Sequence, residues 1–251
     1  MTNFVENYLA NAIGLLQAIA RESGTAIHQA AEAVADAIQG GGLFALFGSG
    51  HSALVAKDAA YRAGGLAPVL AVDDIAEGDA ERVEGVAKYI IARYELRPGS
   101  VLAVISNSGI NPVPIEMALI GKAGGLKVIA ITSLAHGASM PSRHSSSKKL
   151  ADVADIVIDT HGAPGDASVT IPGSIYKTGA TSTIAGAAIV QAITVQAAGL
   201  LAERGVEPPL WVSANLPEGD AHNNALLERY RPYLARYQMA TLPAYLGVGH
   251  K

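Results

Sequence analysis

Apolar residues recur three and four apart at the start of the chain. Phe4, Tyr8, Leu9, Ala12, Leu15, Leu16 and Ile19 mark one face of an amphipathic helix over 3–21. Gly24 ends it, and Thr25 is the expected N-cap of a second helix over 26–39, with Ile27, Ala30, Val34 and Ile38 on one side. Gly40-Gly41-Gly42 closes that helix. The pattern then changes to short segments at 43–47, 68–72, 100–105, 127–131 and 155–158, apolar throughout or after a single polar first residue (Ser100, Lys127, Asp155). Runs of this length without alternation read as strands buried on both faces. Helical stretches separate them at 51–63, 84–94 and 112–123. Strands alternating with helices predict an α/β fold with a parallel sheet covered on both sides.

The rest of the chain adds to this frame. Residues 180–202 are apolar and approach the length of a membrane span. Their threonines, glutamines and glycines point instead to a helix buried in a core or a subunit interface. Residues 73–85 are acidic and read as a solvated loop. Residues 142–149 are serine-rich and basic, as in a mobile loop or a lid. Residues 205–222 form an extended excursion before a last helix over 222–237. One domain is expected, with a helical extension over 1–40, the sheet core over 41–204 and the C-terminal segment over 205–251.

Composition narrows the chemistry. The 251 residues are half hydrophobic, so a full core is available. A net charge of −4 lacks the basic excess of a nucleic-acid binder. The chain has no cysteine, which excludes disulfides, thiol nucleophiles and cysteine-ligated metals. The N-terminus has neither the basic nor the apolar part of a signal peptide, so a cytoplasmic location is expected and no membrane partner.

Two loops carry the candidate chemistry. The run 43–47 ends in Gly48-Ser49-Gly50-His51-Ser52, and the run 100–105 ends in Ser106-Asn107-Ser108-Gly109. Glycine lets a backbone approach a ligand, and helix starts attract anions. A third hydroxyl pair, Thr132-Ser133, follows 127–131. In open parallel sheets ligands lie outside the carboxyl ends of the strands. Gly48, Ser49, Gly50, Ser52, Ser106, Asn107, Ser108, Gly109, Thr132 and Ser133 are therefore the expected ligands of a small phosphorylated molecule. The first loop lacks the third glycine of a dinucleotide fingerprint and the lysine of a P-loop. His136, His144, His161 and Asp166 are irregularly spaced across loops, so neither metal nor other cofactor is expected.

These loops resemble the sugar isomerase (SIS) domain. Tyr61-Arg62-Ala63-Gly64-Gly65-Leu66-Ala67-Pro68, Asn111-Pro112-Val113-Pro114-Ile115-Glu116, Gly179-Ala180-Thr181-Ser182-Thr183 and His222-Asn223 extend the resemblance to the bacterial single-SIS group catalogued as UPF0309. It spans roughly residues 5–237. The resemblance implies a three-layer α-β-α sandwich with a five-stranded parallel sheet. It also implies a bound phosphosugar, and a homodimer or larger homo-oligomer with shared sites. The group usually has Arg after Ser-Asn-Ser-Gly, where this chain has Ile110.

Aldose–ketose isomerisation needs a base to move a proton through an enediol(ate), and an acid to serve the oxygens. Glu116, two turns beyond the second loop, and His51, inside the first, are candidates. On the family pattern His222 reaches a neighbouring subunit's site. Arg62 is a candidate phosphate ligand or an ion-pair partner. A sugar-phosphate sensor and an amino-sugar-phosphate lyase are the alternative readings.

Overall fold

The computed structural model describes residues 3–234. Two helices open the chain, α1 (Phe4–Glu22) and α2 (Gly24–Gln39). There follow β1 (Phe44–Gly48), α3 (His51–Ala59), β2 (Val69–Val72), α4 (Ala87–Ile91), β3 (Val101–Ile105), α5 (Pro112–Ala123) and β4 (Lys127–Thr132). After two short helices, α6 (Leu134–Ala138) and α7 (Leu150–Val153), come β5 (Ile156–Asp159) and a hairpin of β6 (Ala167–Thr170) and β7 (Lys177–Ala180). The chain closes with α8 (Ser182–Glu203) and α9 (Gly219–Leu234).

Five parallel strands form one sheet in the order β2-β1-β3-β4-β5. Successive residues of each strand feed opposite layers, as the twofold period of a strand requires. Phe44, Leu46, Val101, Ala103, Ile129 and Ile131 join the core beneath α2, α3 and α8. Ala45, Phe47, Leu102, Val104, Val128 and Ala130 join the core beneath α4, α5 and α9. The sandwich expected from the sequence is therefore present. The chain moves from β1 outward to β2, then crosses back to β3 on the other side of β1. That reversal opens a crevice beyond the carboxyl ends of β1 and β3.

The α8 helix is long and apolar enough to cross a membrane by length and composition. In the fold it is a core helix, with Ala185, Ile189, Val190, Ile193, Ala197 and Leu201 buried. It packs on α2 and α3.

Local details differ from the sequence reading. Thr25 lies inside α2, and Ser23 stands at the N-cap position. The Ser23 hydroxyl makes no cap bond, because it donates to the Asp159 carbonyl at 2.8 Å. The helix expected over 84–94 is the single turn of α4. The helix expected over 51–63 stops at Ala59, and Tyr61 takes a positive φ of 55°. The β6–β7 hairpin is absent from the sequence reading, because the alternation in β6 (Ala-Ser-Val-Thr) lasts only four residues and β7 (Lys-Thr-Gly-Ala) has none. The last helix starts at Gly219, and its expected continuation to 237 runs outside the described residues.

Tyr61 packs its ring on Trp211, with centroids 5.4 Å apart. Its hydroxyl is buried and has no hydrogen-bond partner among the described residues. Burial pushes the phenol up to about 12. The unfolded chain loses this proton near pH 10. Between roughly pH 10 and 12 the folded state thus holds the proton more tightly, and stability falls as pH rises. Tyr61→Phe is expected to leave stability at neutral pH unchanged or slightly raised. It should remove about 1 kcal/mol of the alkaline loss, because partial solvent access screens the buried phenol. Urea unfolding on both sides of about pH 10 checks this.

Candidate functional site

The first loop is organised by an acidic partner. Gly50 links β1 to α3 with φ 56° and ψ −128°, a conformation reserved for glycine. Ser49 is buried, and its hydroxyl donates to Asp74 Oδ2 at 2.6 Å. The same carboxylate accepts the N–H groups of Ala76 (3.1 Å) and Gly78 (2.9 Å). Part of the acidic segment read as solvated therefore folds onto the loop, and the Ser49 proton serves the fold.

The second loop is held from within. Ser106 Oγ accepts the Gly109 N–H at 3.2 Å, and Gly109 adopts φ 63°. The Asn107 carbonyl accepts the Ser133 N–H at 3.0 Å and the Thr132 hydroxyl at 3.4 Å. Ser133 Oγ donates to the Gly162 carbonyl at 2.6 Å and caps α6 by accepting the His136 N–H at 3.0 Å. Thr132 and Ser133 are buried in the wall. The start of α5 offers few amides to an anion. Pro112 and Pro114 have no N–H, and the Val113 N–H donates to the Glu81 carbonyl at 3.1 Å.

Between α3 and α8 lies a narrow crevice with a free volume of about 10 Å³, room for a water-sized group, so a sugar must widen it or extend beyond its mouth. Its polar lining is Ser52, Asn107, Thr160, Ser182 and Thr183, over a floor of Val55, Ile105, Ile131 and Gly186. Asn107 Oδ1 is buried and accepts no hydrogen bond among the described residues. The α8 N-terminus opens here, and Asp166 caps it. The Asp166 carboxylate accepts the Thr181 and Ser182 N–H groups (3.0 and 2.8 Å) and the Ser182 hydroxyl (2.7 Å). The Ser52 and Thr183 hydroxyls make no hydrogen bond within the described residues. Ser108, Gly109, Thr132 and Ser133 face a second cavity with Lys149, whose ammonium donates to the Gly137 carbonyl at 2.6 Å. Of the expected ligands, Ser52 and Asn107 line the crevice, Ser108, Gly109, Thr132 and Ser133 line the second cavity, and Gly48, Ser49, Gly50 and Ser106 line neither.

Glu116 lies on α5, in the other layer. Its Oε1 accepts the Gly85 N–H at 2.6 Å, while its buried Oε2 has no partner among the described residues. His144 Nε2 stands 3.8 Å from Oε1. Nearby, Arg143 donates to Asn111 Oδ1 at 2.8 Å. Segment 142–149 thus delivers a guanidinium beside Ile110, which is itself buried. Burial pushes the Glu81 carboxyl up, against the hydrogen bond from Asn111.

His51 is exposed at the first position of α3, next to Ser52. His222 pairs with the Leu210 carbonyl at 2.9 Å. Leu210 bridges to Leu66, ahead of β2, so within one chain His222 stands where the strands begin, at the opposite end of the sheet. Arg62 pairs with Asp58.

Sequence reasoning found Ser52 and Asn107 but missed Thr160, Ser182 and Thr183. The signal available for them was position. Thr160 directly follows a strand, and Ser182-Thr183 opens the longest helix among the described residues.

Five parallel strands in this order, sandwiched between helical layers, make the α/β fold of the sugar-isomerase (SIS) class. The SIS domain model matches residues 7–133, and this chain belongs to the SIS domain family. Within it, the chain is similar to UPF0309 proteins. It is 39% identical over 236 residues to one from Geobacillus thermodenitrificans, covering 90% of this chain and 95% of that protein. It is 41% identical over 234 residues to one from Streptomyces coelicolor, covering 89% and 93%. Among solved structures, the phosphoheptose isomerase of Francisella tularensis matches with TM-score 0.56 and 19% identity, over 78% of this chain and 98% of that one. The Vibrio vulnificus NanR protein complexed with ManNAc-6P matches with TM-score 0.52 and 18% identity, over 94% and 71%.

Proposed function

We propose that this protein binds a phosphorylated sugar at the α3–α8 crevice and interconverts its aldose and ketose forms. The observation that supports this most is the lining of the crevice. Its hydroxyls suit phosphate oxygens, and the unpaired Asn107 Oδ1 suits a sugar hydroxyl. The SIS-fold proteins solved include a phosphoheptose isomerase and a protein carrying ManNAc-6P.

The reaction proceeds by proton transfer. A base takes the proton from the carbon beside the carbonyl, and the C–H electrons become the carbon–carbon double bond of an enediolate. The carbonyl oxygen takes up negative charge and is met by hydrogen-bond donors. A proton passes from the adjacent hydroxyl to that oxygen, and the base returns its proton to the former carbonyl carbon as the double-bond electrons form the new C–H bond and the neighbouring carbon becomes the carbonyl. His51, exposed beside Ser52, is the base candidate adjoining the crevice, and Glu116 is the alternative from the other layer. His222 joins them only from a neighbouring subunit. Apolar side chains on α1 (Val5, Leu9, Ile13), α8 (Val195) and the hairpin (Ile175, Tyr176) are exposed and suit a second copy of the chain. Sedimentation as a dimer or larger is expected, and a monomer overturns the shared-site part of the proposal.

A second reading, binding without turnover, has one specific support: the residues lining the crevice include no carboxylate and no imidazole. The test is a panel of hexose, pentose and amino-sugar phosphates in heavy water. Exchange of a C1 or C2 proton is expected from an isomerase, and product analysis separates it from a lyase. Thermal stabilisation with no exchange favours the sensor. Neither effect across the panel overturns phosphosugar binding.

A further inference from the structure

Three separate segments meet at Glu116. Glu84 precedes α4, Glu116 lies on α5, and His144 belongs to the serine-rich segment between α6 and α7. One ligand atom from each lies within 4.8 Å of the others. The side chains of His144 and Glu116 are only 10% and 15% exposed. His144 Nε2 makes no hydrogen bond and faces the Glu116 carboxylate, whose Oε2 is shut off from solvent without a donor.

We infer that Glu84, Glu116 and His144 form a binding site for a divalent transition-metal ion of the zinc type. The donor set is one imidazole and two carboxylates, which suits zinc and its neighbours better than calcium, whose ligands are all oxygen. Charge points the same way. Two carboxylates converge, yet no lysine or arginine pairs with either of them among the described residues. The guanidinium of Arg143, next to His144 in the chain, goes to Asn111. A cation balances the two carboxylates and gives Glu116 Oε2 the partner it lacks.

Each ligand is also held in place from outside, as metal ligands are. The Gly85 N–H orients Glu116 through Oε1. The Ser145 N–H (2.5 Å) and hydroxyl (2.9 Å) hold Glu84, and these bonds keep its carboxyl below the usual range. Ser146 Oγ lies 2.7 Å from His144 Nδ1. With the ring proton on Nδ1 and directed at that oxygen, the Nε2 lone pair is left for the metal. The Ser146 N–H also points at Nδ1 from 3.2 Å, a contact that metal binding gives up. Ligands about 2.1 Å from a tetrahedral ion lie about 3.4 Å apart. The exposed Glu84 must therefore move inward by an ångström or so.

The sequence reading set metal aside because its histidines lay on unrelated loops. The fold pairs one of them with two glutamates that no spacing rule connects to it. The site goes beyond the phosphosugar proposal and does not depend on it.

The test uses the full chain, stripped with chelator and titrated with Zn²⁺ or Co²⁺ alone, with no sugar present. About one equivalent is expected to bind with a rise in thermal midpoint, and Co²⁺ should show the visible absorption of a low-coordinate site. His144→Ala and Glu84→Gln should each weaken binding by about tenfold or more. Glu84 is exposed, so its variant keeps the test valid if His144→Ala folds poorly. His28→Ala, altering the surface pair with Glu32 on α2, should bind as the wild type does. Absence of stoichiometric binding by the wild type, or unchanged binding by both cluster variants, overturns the inference.

Discussion

Gly48→Ala is expected to disrupt the start of α3 and to destabilise the protein by about 3 kcal/mol or more. The obstacle is space. A methyl group at position 48 would lie 2.4 Å from the carbonyl carbon and oxygen of Ser52 and 2.8 Å from the Ala53 nitrogen. These are backbone atoms in the first turn of α3, so no rotamer change relieves the contact. The helix must lift away from β1, or β1 must shift in a sheet where it pairs with both β2 and β3. Either movement displaces Ser52 at the crevice and the Ser49–Asp74 bond beneath it. Urea unfolding measures the first consequence, and ligand-induced thermal shift the second. Stability within about 1 kcal/mol of wild type would contradict this close approach of loop and helix. Gly50→Ala tests a different property of the same loop, since a methyl there has room but the backbone lies at φ 56°.

The contrast between these glycines shows what the sequence makes legible. A glycine-serine-glycine turn between an apolar run and a helix pattern announces a sheet-edge loop, because few other residues allow that path. Phe44–Gly48 and Val101–Ile105 were readable as strands because both their faces are buried. Ser52 and Asn107 were readable as crevice residues because they belong to those loops. Thr160 was not, because its place in the crevice depends on where β5 lies in the sheet, and strand order is a tertiary property. The roles within the loops were also hidden. Ser49 looks like a phosphate ligand until Asp74 is seen to accept its proton. Ser133 looks the same until its hydroxyl is found between Gly162 and His136. A hydroxyl in a loop serves the fold or a ligand according to its nearest acceptor, and long-range contacts supply that acceptor. Glu116 illustrates the converse. Its position about two turns beyond the second loop was plain, but its neighbours Glu84 and His144 come from segments that read as solvated loop and as mobile loop or lid.

The distinction between serving the fold and serving a ligand yields the second large effect. Ser52→Ala combined with Thr183→Ala should lower phosphosugar affinity by about 100-fold, with little change in thermal midpoint. Neither hydroxyl makes a hydrogen bond within the described residues, so their removal leaves no internal donor or acceptor stranded. Both line the crevice, one from the start of α3 and the other from the start of α8. A hydrogen bond to a charged oxygen contributes about 1.5–3 kcal/mol, so the loss of two, taken at the low end, amounts to about two orders of magnitude in the binding constant. Ser106→Ala should behave differently. Its oxygen accepts the buried Gly109 N–H, so that variant should lose about 1–2 kcal/mol of stability and weaken binding only through the distorted loop. Calorimetric titration with the best sugar phosphate of the panel, set beside thermal melts of both variants, separates the two outcomes. If the double variant binds as tightly as wild type, the phosphate does not rest between α3 and α8. The cavity beside Lys149, on the other side of the second loop, then becomes the place to look, through Ser108 and Lys149 itself.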